Sequence, residues 1–344
     1  MTIPDSRIRQ AGPILLFVLV TAFVLELTIG AVWIAPGDVL RALAGGSGLD
    51  SSVDAIIHQF RLPRAWTGLL AGAALGTAGL LLQTVFRNPL ADPHVLGLVQ
   101  GGQVGVAVVV VFSSVTTNAV IGRMSWLGDV GVATAAWVGA VAVLLLMLAA
   151  SRRVNTITLL ILGLMLGYFA TGVASLVIHF TDEDQAAAYA TWADGNFAGI
   201  TAQQLRILAP LVIAGLAAAH TLVKPLNALL LGEQYARSLG VGTTRARYLI
   251  FGTTALLAGS VTAYCGPIAF LGIIAAHLSR VWLRTSDHKI LVPGVALIGA
   301  TFALVADLVT HLPWSKHYLH LNAVNGLVGA PIVAWMIWRK GLNL

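Results

Sequence analysis

The sequence predicts an all-α polytopic membrane protein that crosses the bilayer ten times. Three observations carry this. The 344 residues are 58% hydrophobic and only 10% charged, with a mean hydropathy of +0.86, whereas soluble domains carry about 25% charged residues. Apolar runs of spanning length recur along the whole chain, and a lipid-spanning helix needs about 20 such residues. The basic residues sit in the short gaps between the runs, as membrane orientation requires.

Taken in order, the runs cover residues 12–33, 64–84, 95–113, 127–150, 157–179, 204–223, 247–264, 268–283, 291–312 and 322–338. The first is longer than a signal-peptide core and lacks a small-residue cleavage site, so it reads as a retained helix. The eighth, "IAFLGIIAAHLSRVWL", is short, and the charge pattern decides in its favour. With ten crossings and a cytoplasmic N-terminus, only Arg41, Arg61, Arg64, Arg123, Arg206 and Lys316 lie outside, leaving 14 of the 20 Lys and Arg inside. Both termini are then expected in the cytoplasm of a cell whose inner membrane holds the protein. The 36 glycines suit helices packed closely in lipid. Outside, residues 34–60 read as a loop with a short amphipathic helix, and the acidic, aromatic stretch 180–203 as a surface helix. The chain reads as one transmembrane unit, residues 1–344, whose halves show no internal repeat. The single cysteine, Cys265, excludes a disulfide framework and a cysteine-based metal centre.

Enzymatic signatures are missing from the sequence: there is no HExxH, GxSxG, Walker lysine motif or paired cysteine cluster. Intramembrane charge is sparse, with Glu26 in the first run, Asp307 near the end of the ninth, and His277 and Arg280 in the eighth. Ion-coupled carriers keep ionisable groups at mid-depth. Glu26 is the one deep candidate, and a structural pairing with a neighbouring helix explains it as well. The chain therefore reads as a transporter that lacks its own energy source. An ion-coupled secondary carrier for a small substrate is the alternative, and a membrane-embedded scaffold or sensor a third.

The segment "LNALLLGEQYARSLGVGTTRARYLIFG", Leu226–Gly252, interrupts two apolar runs on the cytoplasmic side. Glu233–Leu239 is helix-prone, and Gly240 and Gly242 supply a stop. It is either a solvated loop or a docking helix for a cytoplasmic ATPase. Within it, "LGEQYARSLGV" (Leu231–Val241) resembles the coupling-helix signature of the FecCD-type permeases, the membrane subunits of type II ABC importers for iron chelates, haem and cobalamin. Further matches are "RLPRAWTGLLAGAALGTAGLLLQTVFRNPLADPHVLGL" (Arg61–Leu98), "GPIAFLGIIAAHLSR" (Gly266–Arg280), "TSDHKILVPGVALIGATFALVAD" (Thr285–Asp307) and "NGLVGAPIVAWMIWR" (Asn325–Arg339). They follow one another in the family's order over most of the chain.

The resemblance implies the type II ABC importer permease fold, with ten helices per subunit. It implies a homodimer around a translocation path, two cytoplasmic ATPase subunits that hold ATP and Mg, a periplasmic substrate-binding protein, and a bulky metal chelate as cargo. No cofactor is expected on this chain. The coupling residues implied are Gly232, Glu233, Ala236, Arg237, Leu239 and Gly240, with Ala236 and Leu239 filling the ATPase groove and Glu233 and Arg237 at its rim. Arg61 and Arg64 are implied to dock the binding protein through its acidic residues, and His311 stands where the family often carries a third arginine. Asn155 and Thr156 fall near the family's cytoplasmic gate, where an ordinary helix cap is the competing reading. Asn88-Pro89 and Asp92-Pro93 read as a rigid turn whose polar side chains satisfy free backbone groups. The sequence departs from the family at His311–Gly326, where His311, His317, Tyr318 and His320 offer haem-ligating types or simply interfacial side chains. It does not choose between siderophore-bound iron, haem and cobalamin.

Overall fold

The computed structural model describes residues 5–45, 50–116, 125–151, 153–154, 156–312 and 319–341, and all the regular elements among them are helical. In chain order these are α1 (Asp5–Thr28), α2 (Pro36–Leu43), α3 (Ser51–Ala55) running through a π-helical turn (Ile56–Arg61) into α4 (Leu62–Phe86), α5 (Leu98–Thr116), α6 (Ser125–Ser151), α7 (Thr156–His179) and α8 (Glu183–Ala193). There follow α9 (Ala202–Thr221), α10 (Val223–Leu230), α11 (Glu233–Ser238), α12 (Thr243–Cys265), α13 (Leu271–Leu283), α14 (His288–Thr310) and α15 (Leu321–Gly341). Among the described residues, seven helices are long and apolar enough to cross a membrane, and three shorter apolar helices lie within α5, α13 and α15.

The second of these crossing helices, which contains α4, is the core of the bundle. Of its most apolar window, 89% is buried, and α14, α12, α13 and α9 pack around it. Lipid tails are as apolar as leucine, so helix association in a membrane rests on close backbone approach rather than on the hydrophobic effect. Glycines supply it here. A side chain at Gly72 would run into the backbone of Gly299 on α14, and one at Gly79 would sit 2.7 Å from the backbone of Gly272 on α13. Gly101 on α5 meets Gly139 on α6 in the same way.

Two helices, α5 and α13, start part-way along the bundle, and α13 has only 13 residues for that reason. After α4 ends at Arg87, in the left-handed region at φ 48°, the chain turns back and lays Gly97 against Gly163 and Gly167, near the middle of α7. Asn88 Oδ1 accepts from the Leu90 N–H and Asp92 Oδ1 from the His94 N–H, both at 2.9 Å. The buried Asp92 carboxylate also takes the Ile273 N–H at the start of α13. Before α13, residues 266–270 are non-helical, and Phe270 is left-handed at φ 65°. Asn322 on α15 holds this stretch: Oδ1 accepts from the Ala269 N–H at 3.0 Å and Nδ2 donates to the Pro267 carbonyl at 2.8 Å. Each break in the helices thus has its backbone groups re-satisfied by an amide or carboxylate, as a low-dielectric surrounding demands.

Candidate functional site

At one end of the bundle the polar interruption folds as expected into a short helix between two glycines. Gly232 (φ 106°) and Gly240 (φ 79°) both occupy backbone conformations that L side chains rarely adopt, so the turns on either side of α11 belong to glycine. The Glu233 carboxylate clamps the helix. Its Oε1 accepts from Arg237 Nη2 at 2.7 Å, and its Oε2 from Arg247 Nη2, on α12, at 2.8 Å. Arg237 Nε also donates to Thr243 Oγ1 at 3.1 Å. The clamp thus ties α11 to the first turns of α12.

The division of labour around α11 differs from the sequence expectation in one respect. Ala236 is fully buried against its own subunit, so it cannot fill a partner's groove. The exposed apolar groups are Leu231, Tyr235 and Leu239, at 62%, 52% and 57%. Together with Arg87, Gly232, Glu233, Gln234 and Ser238, Leu231 and Tyr235 line an open groove of about 580 Å³. Tyr235 and Leu239 are four apart and so share a helix face, a signal present in the sequence beside the Glu233/Arg237 pair.

A second linkage at the same end escaped sequence reading because its members lie 60 residues apart. Asn227 Nδ2, on α10, donates to Asp287 Oδ1 at 2.6 Å, and Asn227 Oδ1 accepts from the His288 N–H at 2.9 Å. His288 Nε2 in turn lies 2.8 Å from Thr84 Oγ1 on α4. Asp287 caps α14, and the Lys289 N–H followed by the Asn227 amide holds its carboxyl below the ordinary carboxylate range. The polar interruption is thus tied to α12, α14 and α4.

At the opposite end the structure turns all three expected docking residues inward. Arg61 donates from Nη1 to the Leu27 and Thr28 carbonyls at 2.7 and 2.9 Å, and from Nη2 to the Val32 carbonyl. It fits because residue 30 is glycine: a Cβ there would sit 2.9 Å from the guanidinium. Arg64 donates from Nε and Nη2 to the two carboxylate oxygens of Asp307, at 2.7 and 2.8 Å, with Thr310 Oγ1 at 3.1 Å. Glu26 lies 3.6 Å from Arg64 and 3.5 Å from His311, whose side chain is only 6% exposed. The reason is electrostatic: a carboxylate in lipid is far costlier alone than beside a guanidinium. Glu26, Asp307 and His311 bring potential metal-ligand atoms within 4.8 Å of one another, but Arg64 already takes both Asp307 oxygens, so the cluster is an ion-pair network joining α1, α4 and α14. The structural pairing read for Glu26 is what the geometry shows.

Of the other sequence candidates, Asn155 lies outside the described residues, and Thr156 is the first residue of α7. His317 and Tyr318 also lie outside the described residues. His320 is exposed and pairs with Asp194 at 3.3 Å. With His311 buried beside Glu26, the described histidines of this segment do not converge.

Comparison with known proteins agrees with this architecture. The FecCD transport family matches residues 17–339. The chain is 32% identical to the Fe(3+)-citrate import system permease protein YfmE of Bacillus subtilis, over 94% of this chain and 93% of that one. It is 33% identical to the vitamin B12 import system permease protein BtuC of Salmonella typhimurium, over 93% and 92% respectively. A solved structure described as an inward-facing metal-chelate type ABC transporter superposes with a TM-score of 0.80 at 26% identity, covering 96% of this chain and 99% of that chain. The helix order, the glycine-bounded α11 and these matches lead to one conclusion: this chain is a multi-pass membrane permease with the type II ABC importer fold and belongs to the FecCD transport family.

Proposed function

We propose that this chain is the translocating subunit of an ABC importer for a bulky metal chelate, with iron–siderophore, haem and cobalamin as the cargo class. In this reading two copies form a homodimer around the path, and two ATPase subunits, which hold the ATP and Mg²⁺, grip α11 from the cytoplasm. A substrate-binding protein delivers cargo at the opposite face. The protein sits in the inner membrane with both termini cytoplasmic, so that the basic gaps obey the positive-inside bias.

The observation that supports this best is the α11 surface. An exposed Leu231–Tyr235–Leu239 ridge borders a groove, and behind it Glu233 and Asn227 pin the segment to α12 and α14. Apolar side chains displayed in water beside a rigid mechanical linkage fit a docking surface better than a solvated loop. The alternative of an ion-coupled carrier loses the deep carboxylate that the sequence offered it, because Glu26 lies within the Arg64–Asp307–His311 network. Arg61 and Arg64 stand at the edge of the proposed delivery surface. For a binding protein to engage them, its carboxylates must compete with Asp307 and with the carbonyls at Leu27 and Thr28.

The test is reconstitution in liposomes with the cognate ATPase subunit and binding protein, measuring uptake of ferric citrate, haemin and cyanocobalamin. ATP-dependent uptake of one of them is expected. Uptake by this chain alone, driven by an ion gradient, overturns the reading.

A further inference from the structure

A cavity of about 490 Å³ opens where the returning 87–97 segment, the non-helical residues before α13 and the middle of α7 meet. His94, Gln100, Gln103, Tyr168, Thr171 and Asn322 supply its polar lining. Non-helical backbone at bilayer depth persists where it lines a cavity, and breaks of this kind in transport proteins accompany binding sites near the midplane. The position alone singles this cavity out from the other grooves.

Its chemistry is specific. Every polar side chain on the wall is an amide, a hydroxyl, a phenol or an imidazole, and among the described residues neither a carboxylate nor a Lys or Arg side chain lines it. Asn322 is spent on holding the backbone of residues 194 and 267–269. The others retain capacity. Gln100 Nε2 lies 3.3 Å from His94 Nε2, which leaves Gln100 Oε1 as an acceptor and His94 Nδ1 as a donor. Both atoms are buried at the cavity wall with no hydrogen-bond partner among the described residues, and a buried polar atom left so in a folded protein calls for an explanation such as water or an ion. Gln100 and Gln103 lie three apart on one face of α5, and Tyr168, 68% exposed, stands at the open side.

We propose that this neutral cradle contacts one side of the cargo in transit and selects a chelate whose outer surface presents amide, hydroxamate or hydroxyl groups. A polyanionic chelate finds no cation among the described lining residues to match it. The inference rests on the transport reading above and adds the substrate class to it.

The experiment uses the complete importer in liposomes with three probes: the iron(III) complex of desferrioxamine B, cyanocobalamin and ferric citrate. The wild type is expected to take up the trihydroxamate or the amide-rich cobalamin in preference to ferric citrate. Gln100→Leu and Gln103→Leu are each expected to raise the KM for that probe about tenfold, the effect of one lost hydrogen bond to a buried group. A second measurement does not depend on transport. Thr171→Cys in a Cys265→Ser background is labelled by a maleimide, and the preferred probe is expected to slow the labelling. Wild-type uptake favouring ferric citrate, unchanged KM in both glutamine variants, or labelling at the same rate with saturating probe each overturns the cradle while leaving the importer reading intact. Wild type that moves none of the three probes with ATP contradicts the importer reading itself, and the cradle falls with it.

Discussion

Arg64 on α4 and Asp307 on α14 face each other through two hydrogen bonds, at 2.7 and 2.8 Å, although 243 residues separate them in the chain. Asp307 is 1% exposed, and Glu26 and His311 close the pair from α1 and the end of α14. The relationship makes Arg64 a structural residue in this state, whatever it touches when a partner is bound.

Removing one side of that pair strands the other in a low-dielectric interior. Arg64→Met or Asp307→Leu is therefore expected to destabilise the protein by about 3–5 kcal/mol, whereas the double replacement recovers most of that loss. Denaturant unfolding in detergent measures both. A change below about 1 kcal/mol in the single variants, the range of exposed pairs, together with weaker and salt-sensitive capture of the binding protein, would move Arg64 from the structural to the docking role.

The clamp on α11 leads to a different expectation, because its charges are partly exposed: the Glu233 side chain is 35% exposed and that of Arg237 64%. Such pairs contribute about 1 kcal/mol or less each. Glu233→Arg should leave the unfolding midpoint nearly unchanged while uptake per ATP hydrolysed collapses. Simultaneous measurement of phosphate release and uptake in proteoliposomes decides it, and coupled transport at the wild-type ratio would count against the clamp.

Gly240→Pro attacks the same segment through the backbone. Gly240 sits at φ 79° and donates its N–H to the Arg237 carbonyl at 2.9 Å, while proline fixes φ near −65° and has no N–H. The chain should still insert, since α12 begins three residues later, but uptake should be lost. Full uptake by this variant would show that the turn carries no mechanical role.

Asp287 gives a pH prediction. The Lys289 N–H and the Asn227 amide hold its folded-state carboxyl below the ordinary value, which is about 3.9 in an unfolded chain. Its contribution to stability is therefore fully present above that value and is lost only as pH falls through the lower folded value. Asp287→Ala should cost about 0.5–2 kcal/mol at neutral pH, as for other N-caps, with no change in that gap between pH 7 and 5 and a narrowing in acid. A gap that narrows between pH 7 and 5 instead would show that the carboxyl is not held low.

Much of the fold was legible in the sequence because hydropathy and charge bias act over whole segments. The eighth run was recognisable despite its length, since omitting it sends Arg339 and Lys340 to the wrong side. Its shortness has a cause only the structure displays: α13 starts at depth, after a stretch held by Asn322. The α11 segment was legible for a local reason, two glycines bracketing a charged helix. The inward turn of Ala236 was not, because burial depends on what lies behind α11, although the Tyr235/Leu239 spacing offered a clue. The intramolecular partners of Arg61, Arg64 and His311 were not legible for the same reason. Nothing near Arg64 in the chain announces Asp307, and nothing near Arg61 announces the carbonyls at Leu27 and Thr28. Likewise, the unpartnered atoms of His94 and Gln100 become visible only once α7 is packed against Gly97.

The claim that α11 is gripped by a separate ATPase is tested most directly by placing a cysteine at Leu239, in a Cys265→Ser chain, and cross-linking it in the assembled importer. The account predicts that this thiol reacts with impermeant reagent only from the cytoplasmic side and joins the ATPase subunit in good yield. It also predicts that the cross-linked complex no longer transports. Labelling from the outer face, or unimpaired transport without any contact between residue 239 and the ATPase, would contradict it.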